Sequence, residues 1–225
     1  MKTVSVVIPA YNEEQRIVQT IRSVKKISGV DRIIIINDGS SDQTAMLSRA
    51  EGVLVIDLAN NKGKGGAMNA SLPYIDTDIV AFLDADLGSS AGEAGKIIQP
   101  VLDGTADLCI ASFPPPKKKG GFGIVKRTAV WALRRAGMSE VNAPLSGQRA
   151  MTREVLHAVT PFHEAYGVEL GMSIKALKRG YKIAEVPTMM GHNETGRDIK
   201  GFLHRGKQLL DVLRVIIIGT GGNKI

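Results

Sequence analysis

The sequence predicts an α/β protein built on a single, mostly parallel sheet with helices on both faces. Three observations carry that expectation. Short β-branched runs at residues 4–8, 33–36, 53–56 and 79–83 recur with helical patterns between them, and strands alternating with helices at this spacing form parallel sheets. Each run is followed by a polar loop, and in such sheets ligands bind beyond the carboxyl ends of the strands. The 225 residues are 44% hydrophobic and 23% charged, ordinary for a globular chain long enough for a full core.

The first run, residues 4–8, is stopped by Pro9-Ala10-Tyr11-Asn12. Asn12 is expected to cap a helix with Glu13 and Glu14 at its positive end and Ile17, Ile21 and Val24 on its apolar face. The second unit joins residues 33–36, the turn Asn37-Asp38-Gly39-Ser40-Ser41 and a helix through Ala45, Leu47 and Ala50. In the third, residues 53–56 lead into a Gly- and Lys-rich loop at 60–66 and a short helix at about 67–72.

The fourth run, Ile79-Val80-Ala81-Phe82-Leu83, reads as a strand buried on both faces that ends in Asp84 and Asp86. Side chains repeat every second residue in extended backbone, so the two carboxylates can share one side and hold a cation or a ribose-phosphate ligand. Taken alone, the pair also suits a polar strand end that caps the next helix.

Beyond it the pattern predicts a helix from 92 toward 102, a strand at 107–112, and an irregular stretch at 113–123 with three prolines and three lysines. That stretch reads either as a solvated loop or as a flap facing phosphate or membrane. A helix at 124–136, the segment Ser146-Gly147-Gln148-Arg149, a helix at 168–178 ended by Gly180, and a strand at 182–186 follow. Residues 191–198 are polar and Gly-punctuated, a candidate lid, and 202–218 form a basic amphipathic pattern. That helix either packs on the domain or lies on a membrane surface.

The bulk properties narrow the function classes. A net charge of +7 points to an acidic partner such as nucleotide phosphate or an anionic membrane surface. Nucleic acid is not expected, since aromatic content is 4% and no nucleic-acid-binding motif accompanies the basic clusters. No segment has the roughly 18 continuous apolar residues of a membrane span, and the first residues do not read as a secretory signal. The expectation is a cytoplasmic protein, with peripheral contact at the inner face of a membrane as its variant. The single Cys109 excludes an internal disulfide and reads as a buried thiol. No G-x-G-x-x-G follows the first strand, which argues against dinucleotide binding of the dehydrogenase kind. The oligomeric state is left open.

Together the loops resemble the large inverting nucleotide-sugar glycosyltransferase family of GT-A (Rossmann-like) fold, which includes the polyprenyl-phosphate sugar synthases. The matching elements are Val6-Val7-Ile8-Pro9-Ala10-Tyr11-Asn12-Glu13-Glu14, Asn37-Asp38-Gly39-Ser40-Ser41-Asp42-Gln43-Thr44, Asn61-Lys62-Gly63-Lys64-Gly65-Gly66-Ala67-Met68-Asn69 and Asp84-Ala85-Asp86, in the family's order over the first 90 residues. Weaker matches are Ser146-Gly147-Gln148-Arg149 and the stretch at 179–187. The resemblance implies one glycosyltransferase domain over 1–225, with a nucleotide-binding half at 1–112 and an acceptor-binding half at 113–225 carrying the lid and amphipathic helix.

It further implies that Pro9, Ala10, Tyr11 and Glu13 frame the nucleoside and that Asp38 accepts a hydrogen bond from the base, as a carboxylate can from uracil or guanine. Lys64 would approach the donor phosphates. Asp84 would bind ribose or metal-bound water, and Asp86 a divalent Mg²⁺ or Mn²⁺, with His192 as a further ligand from the lid. Arg197 and Lys200 would clamp the diphosphate. Glu169 is the candidate base for a hydroxyl acceptor, the alternative being a carboxylate at a helix N-terminus. A phosphate acceptor, already ionised, needs no base; Gln148 and Arg149 would then contact it, or else pair internally. The Glu-Asp pair and Gln-x-x-Arg-Trp motif of the processive relatives are missing. Two other classes compete: a sugar-1-phosphate nucleotidyltransferase, which would carry a Gly-rich loop with Arg where Pro9-Ala10-Tyr11-Asn12 stands, and a non-catalytic nucleotide-sugar binding protein.

Overall fold

A computed structural model describes residues 1–113, 124–162 and 167–191. The loop expected at 113–123 lies outside them except for Phe113, and the lid (except Gly191), His192, Arg197, Lys200 and the amphipathic helix at 202–218 lie outside them as well.

Seven strands form one sheet: β1 (Val4–Ala10), β2 (Arg32–Asn37), β3 (Leu54–Asp57), β4 (Ile79–Phe82), β5 (Leu108–Ser112), β6 (Arg149–Thr152) and β7 (Ile183–Pro187), in the order β3-β2-β1-β4-β6-β5-β7. All neighbours are parallel except β6, which runs antiparallel to β4 and β5. The helices are α1 (Ile17–Val24), α2 (Thr44–Ala50), α3 (Gly63–Ser71), α4 (Gly95–Leu102), α5 (Ile124–Arg135), α6 (Arg153–Val159) and α7 (Val168–Lys178), with a 3₁₀ stretch at Gly88–Ala94 before α4.

Strand alternation sorts the core onto two faces. Val4, Val6 and Ile8 pack with Ile17, Ile21 and Val24 of α1 and Ile97 of α4. Val7, Ile34, Val80 and Phe82 pack on the opposite face with Met68 of α3, Val155 of α6 and Met172 of α7. Helices therefore cover both sides, as the strand-helix alternation predicts. The fully buried Cys109 on β5 belongs to the first face, and burial pushes its thiol up to about 11, so it stays protonated at neutral pH.

Several boundaries differ from the expectation, each for a physical reason. β1 continues through Pro9 to Ala10: its pairing with β4 ends at Val7, so the missing proline N–H falls where only β2 is still a neighbour. Asn12 is no helix cap; it sits at φ +54° and α1 begins only at Ile17. Helix α3 starts at Gly63, inside the Gly-rich stretch; Lys62 at its N-terminus provides no side-chain cap, and Asn61 Oδ1 accepts from Gly63 N at 3.1 Å in a local turn that leads the chain into the helix. Strand β6 and helix α6 have no counterpart in the sequence reading. A four-residue strand that begins with a fully buried arginine carries no alternation signal.

Candidate active site

The strand order places the site. From β1 the chain adds β2 and β3 on one side, then crosses to lay β4 on the other, so the carboxyl ends of β1 and β4 flank the point where direction reverses. Ligands of open α/β sheets bind at such a point. The loops after β1, β2, β3 and β4 all emerge on that edge, and β6, being antiparallel, begins there.

The first two loops are tied together through side chains. Asn12 Oδ1 accepts from Ser41 N at 2.9 Å, Ser40 Oγ accepts from Asn12 N at 3.0 Å, and Thr44 Oγ1 accepts from Glu13 N at 2.8 Å. Asp38 is buried; its N–H donates to Ala10 O at 2.8 Å and its Oδ1 accepts from Lys62 N at 2.7 Å. Asp38 thus ties the end of β1 to the second loop through its backbone and the second loop to the third through its carboxylate. Beside it Gly39 has φ +71°, and a Cβ there would lie 2.8 Å from Asn61 N. Only glycine allows the second loop to lie so close to the third. Tyr11 remains 48% exposed at the mouth, with Pro9 and Ala10 behind it in β1.

Beyond β4 the chain leaves the strand at Phe82 and the expected alternation persists: Ala85 is buried while Asp84 and Asp86 are partly exposed. Asp84 is gripped from two sides, its Oδ1 by Lys64 Nζ at 2.6 Å and its Oδ2 by Gln148 Nε2 at 2.6 Å. The register makes the second contact inevitable: Phe82 pairs with Arg149 across the antiparallel ladder, so Gln148 and Gly147 run alongside Leu83 and Asp84. Lys64 also reaches Glu169 Oε1 at 3.1 Å, in the first turn of α7. Burial works against the ammonium charge, but the two carboxylates override it and hold Lys64 above the ordinary lysine range. Lys64 of α3 is thus held between two carboxylates, Asp84 just past β4 and Glu169 of α7, with Gln148, just ahead of β6, on the far oxygen of Asp84. Pairing of Lys64 with Glu169 has no signal in the sequence, since nothing local connects α3 to α7.

Asp86 sits with Glu13 across the reversal point. Burial raises the Glu13 carboxyl above its ordinary value, and the Asp86 charge adds to it, with Arg16 opposing. Arg16, not singled out by the sequence, donates from Nη1 to Asp86 O at 3.1 Å and bridges the two loops. Thr20 of α1 supports the same turn, donating to Ala85 O at 2.7 Å and accepting from Gly88 N at 2.8 Å. Because the folded protein holds the Glu13 proton more tightly, stability from this group falls as pH rises through the folded pKa. Glu13→Gln is therefore expected to raise Tm relative to the native protein at pH 7 and to leave it unchanged below the ordinary glutamate range, as thermal unfolding at the two pH values would show.

This edge suits a divalent cation. Asp84, Asp86 and Glu13 offer carboxylate oxygens, the choice of Mg²⁺ and Mn²⁺, and a cation there would relieve the repulsion that Asp86 adds to the effect of burial on Glu13. No group of three or more His, Cys, Asp or Glu forms a complete metal cage among the described residues. Mg²⁺ does not require one, since it is commonly held by one or two carboxylates with water and substrate phosphate.

Arg149 departs from its expected place. It is fully buried, with Nε donating to Ser146 O at 2.8 Å and Nη1 to Ser173 Oγ at 2.7 Å. Burial lowers its pKa to about 10, with Glu169 and Glu185 acting the other way. The guanidinium faces inward and braces the segment that presents Gln148, in place of an open grip on an acceptor. Glu185, on β7, accepts from Asn142 N at 2.8 Å and Ala143 N at 3.0 Å and fixes the start of the same segment. The sequence pointed to neither Ser173 nor Glu185, because both act through backbone or buried partners.

A switch-point crevice with a carboxylate pair past the end of its central strand, facing a half-buried glutamate in the loop after β1, is the arrangement of an α/β protein of the GT-A kind. The model of Glycosyl transferase family 2 matches residues 5–159, more than half of the chain, and the chain belongs to that family. Glucosyl-3-phosphoglycerate synthase of Mycolicibacterium smegmatis is 32% identical over 198 residues, covering 79% of this chain and 65% of that protein. The chain thus spans just under two thirds of that relative's length. The crystal structure of glucosyl-3-phosphoglycerate synthase from Mycobacterium tuberculosis with Mn²⁺, uridine diphosphate and phosphoglyceric acid is similar at a TM-score of 0.82 and 30% identity, over 99% of this chain and 80% of that one. Undecaprenyl-phosphate 4-deoxy-4-formamido-L-arabinose transferase of Proteus mirabilis is 38% identical over 111 residues, 45% of this chain and 34% of that protein.

Proposed function

We propose that this chain transfers a glycosyl group from a uridine-diphosphate sugar to a phosphorylated acceptor, with a divalent cation at the diphosphate and inversion at the anomeric carbon. The observation that carries the proposal is Asp84 held between Lys64 and Gln148 at the switch point, with Asp86 and Glu13 beside it. Similarity to the mycobacterial synthase supports uridine diphosphate and a phosphorylated small molecule, since it extends over nearly the whole chain. A lipid phosphate is the second reading, favoured by the Proteus transferase, whose match covers less than half of the chain.

In this mechanism Pro9, Ala10 and Tyr11 frame the base and Asp38 accepts its N–H. Asp84 orients the ribose, and Asp86 holds the cation. The cation, when bound, stabilises the charge that grows on the departing diphosphate. Lys64, kept protonated by its two carboxylates, adds a fixed positive charge beside the same leaving group. Glu169 takes the acceptor proton when the nucleophile is a hydroxyl, and its ion pair with Lys64 sets its position. Lys64 therefore couples donor and acceptor ends of the reaction.

Release of uridine diphosphate from UDP-glucose, followed with 3-phosphoglycerate, with undecaprenyl phosphate and with neither, tests the proposal. Turnover is expected with 3-phosphoglycerate, lost on chelation and restored by Mn²⁺, and the anomeric coupling of the product is expected to show inversion. Binding of UDP-glucose without release in any arm would make the chain a binding protein instead. Gly147→Ala supplies a finer check, because a Cβ there would run into Lys64 Nζ and lie 3.1 Å from Asp84 Oδ2. The lysine must leave Asp84 while the fold is untouched. A loss of about tenfold to 10²-fold in kcat/KM is expected, less than the roughly 10²–10³-fold for outright removal of one electrostatic donor because Lys64 is displaced and not deleted, with little change in Tm.

A further inference from the structure

Helix α5 carries a surface that the site does not use. One face is core: Ala129, Ala132 and Leu133 pack with Leu170 and Ile174 of α7. The opposite face exposes Lys126, Arg127, Trp131, Arg134 and Arg135. Trp131 is 55% exposed and is the only tryptophan in the chain. Lys126, Arg127, Val130, Trp131 and Arg134 line a shallow recess of about 470 Å³ with an almost wholly apolar floor. The guanidinium of Arg135 lies 5.9 Å from the indole centroid, over the ring, and so engages its face electrostatically. The twelve residues of α5 contain four cations and no acid, and Glu140, exposed in the following loop, is the one carboxylate within residues 124–142.

We propose that this face of α5 docks on an anionic phospholipid surface. An exposed indole with an apolar floor, ringed by long cationic side chains, matches the boundary between headgroups and acyl chains: the ring enters the interface while arginine and lysine stems snorkel to the phosphates. A groove for nucleic acid would instead show stacking aromatics along a polar, donor-lined track, and a protein partner would be expected to meet a rim of mixed charge. The net charge of +7 adds long-range attraction to an anionic bilayer. At about 1.5 Å per residue, the helix lays roughly 18 Å of this face along the surface. Its inner face packs on α7, whose first turn holds Glu169, so docking brings that side of the crevice to the membrane. The inference concerns an attachment surface and stands whether the acceptor is lipid-linked or soluble.

The lone tryptophan makes the test specific to α5. The full chain is mixed at low salt with vesicles of phosphatidylcholine alone, or of phosphatidylcholine with phosphatidylglycerol, and both co-sedimentation and indole emission are followed. Binding only to the anionic vesicles, a blue shift of Trp131, its quenching by brominated lipid and release by added salt are expected. In the double variant Arg127→Gln/Arg134→Gln, partitioning should weaken about fivefold per cation, about 25-fold together, with uridine-diphosphate release from UDP-glucose unchanged in the absence of lipid. Failure to bind anionic vesicles at low salt would overturn the proposal. So would binding with Trp131 emission unmoved, which would assign attachment to another surface, or a double variant that partitions like the native chain. A blue shift that grows with protein concentration without lipid, together with a doubled mass, would assign the face to a second copy of the chain.

Discussion

Asp84→Ala is expected to lower kcat/KM by about 10²–10³-fold, or roughly 2.7–4 kcal/mol of transition-state stabilisation, the range for loss of one preorganised electrostatic group. The argument lies in what Asp84 holds. Both its oxygens are engaged, one by Lys64 and one by Gln148, at 2.6 Å each. Without the carboxylate, Lys64 is left to Glu169 alone at 3.1 Å and swings toward α7, away from the donor side. The Gln148 side chain loses its acceptor beyond β4 and, among the described residues, keeps only the contact of its Oε1 with Ser146 Oγ at 3.3 Å. On the proposed function, the single change therefore removes the ribose contact, misplaces the Lys64 ammonium and loosens the segment that carries Gln148 together. Lys64→Ala should resemble it in size, and the double variant should lose little more than either, because residues that act as one unit are not additive. Kinetics of the two single variants and the double, with unfolding midpoints to show that each folds, would measure this. Losses that add in full would mean that the contacts act independently and that the shared network has been misread.

What the sequence discloses and what it hides divide along the range of the interactions. The parallel half of the sheet was legible because β1, β2, β3 and β4 alternate with helices locally, and because Asn37-Asp38-Gly39 and Asp84-Ala85-Asp86 follow apolar runs directly. The convergence of those loops follows from parallel topology itself. Contacts that depend on a distant strand were not legible. Gln148 meets Asp84 only because β6 runs antiparallel in one particular register, and Glu169 meets Lys64 only because α7 begins over the same edge. Asn12 shows how a local rule loses to a longer contact: its side chain suits a helix cap, yet it bonds Ser41 N of the next loop and takes a left-handed backbone instead. Arg149 reversed the usual reading of a charged residue beside a binding motif, since polarity says nothing of a partner such as Ser173 two elements away.

That buried arginine yields the largest expected effect on stability. Arg149→Ala should destabilise the protein by about 2–5 kcal/mol, the cost of truncating a large buried side chain and stranding the acceptors it satisfies. Three losses coincide. Ser146 O and Ser173 Oγ each lose a charge-assisted donor, the stem leaves a cavity beside β4 and β5, and Glu169 and Glu185 lose the positive charge between them. Arg149→Met keeps the volume but not the donors and should fall between alanine and the native residue. Among the described residues, Arg149 Nη2 has no hydrogen-bond partner, so part of the arginine's own desolvation is unrecovered and the gap between methionine and native is narrowed accordingly. Urea unfolding of the three proteins would rank them, with an unchanged m-value confirming that the folded state is compared throughout. The same variants separate two roles for the residue. A brace behind Gln148 predicts that Arg149→Met, assayed where it remains folded, lowers kcat with the acceptor KM nearly constant; an arginine that gripped the acceptor phosphate would instead raise that KM by tenfold or more, about 1.4 kcal/mol of lost binding. The inward guanidinium, bonded to Ser146 and Ser173, favours the brace.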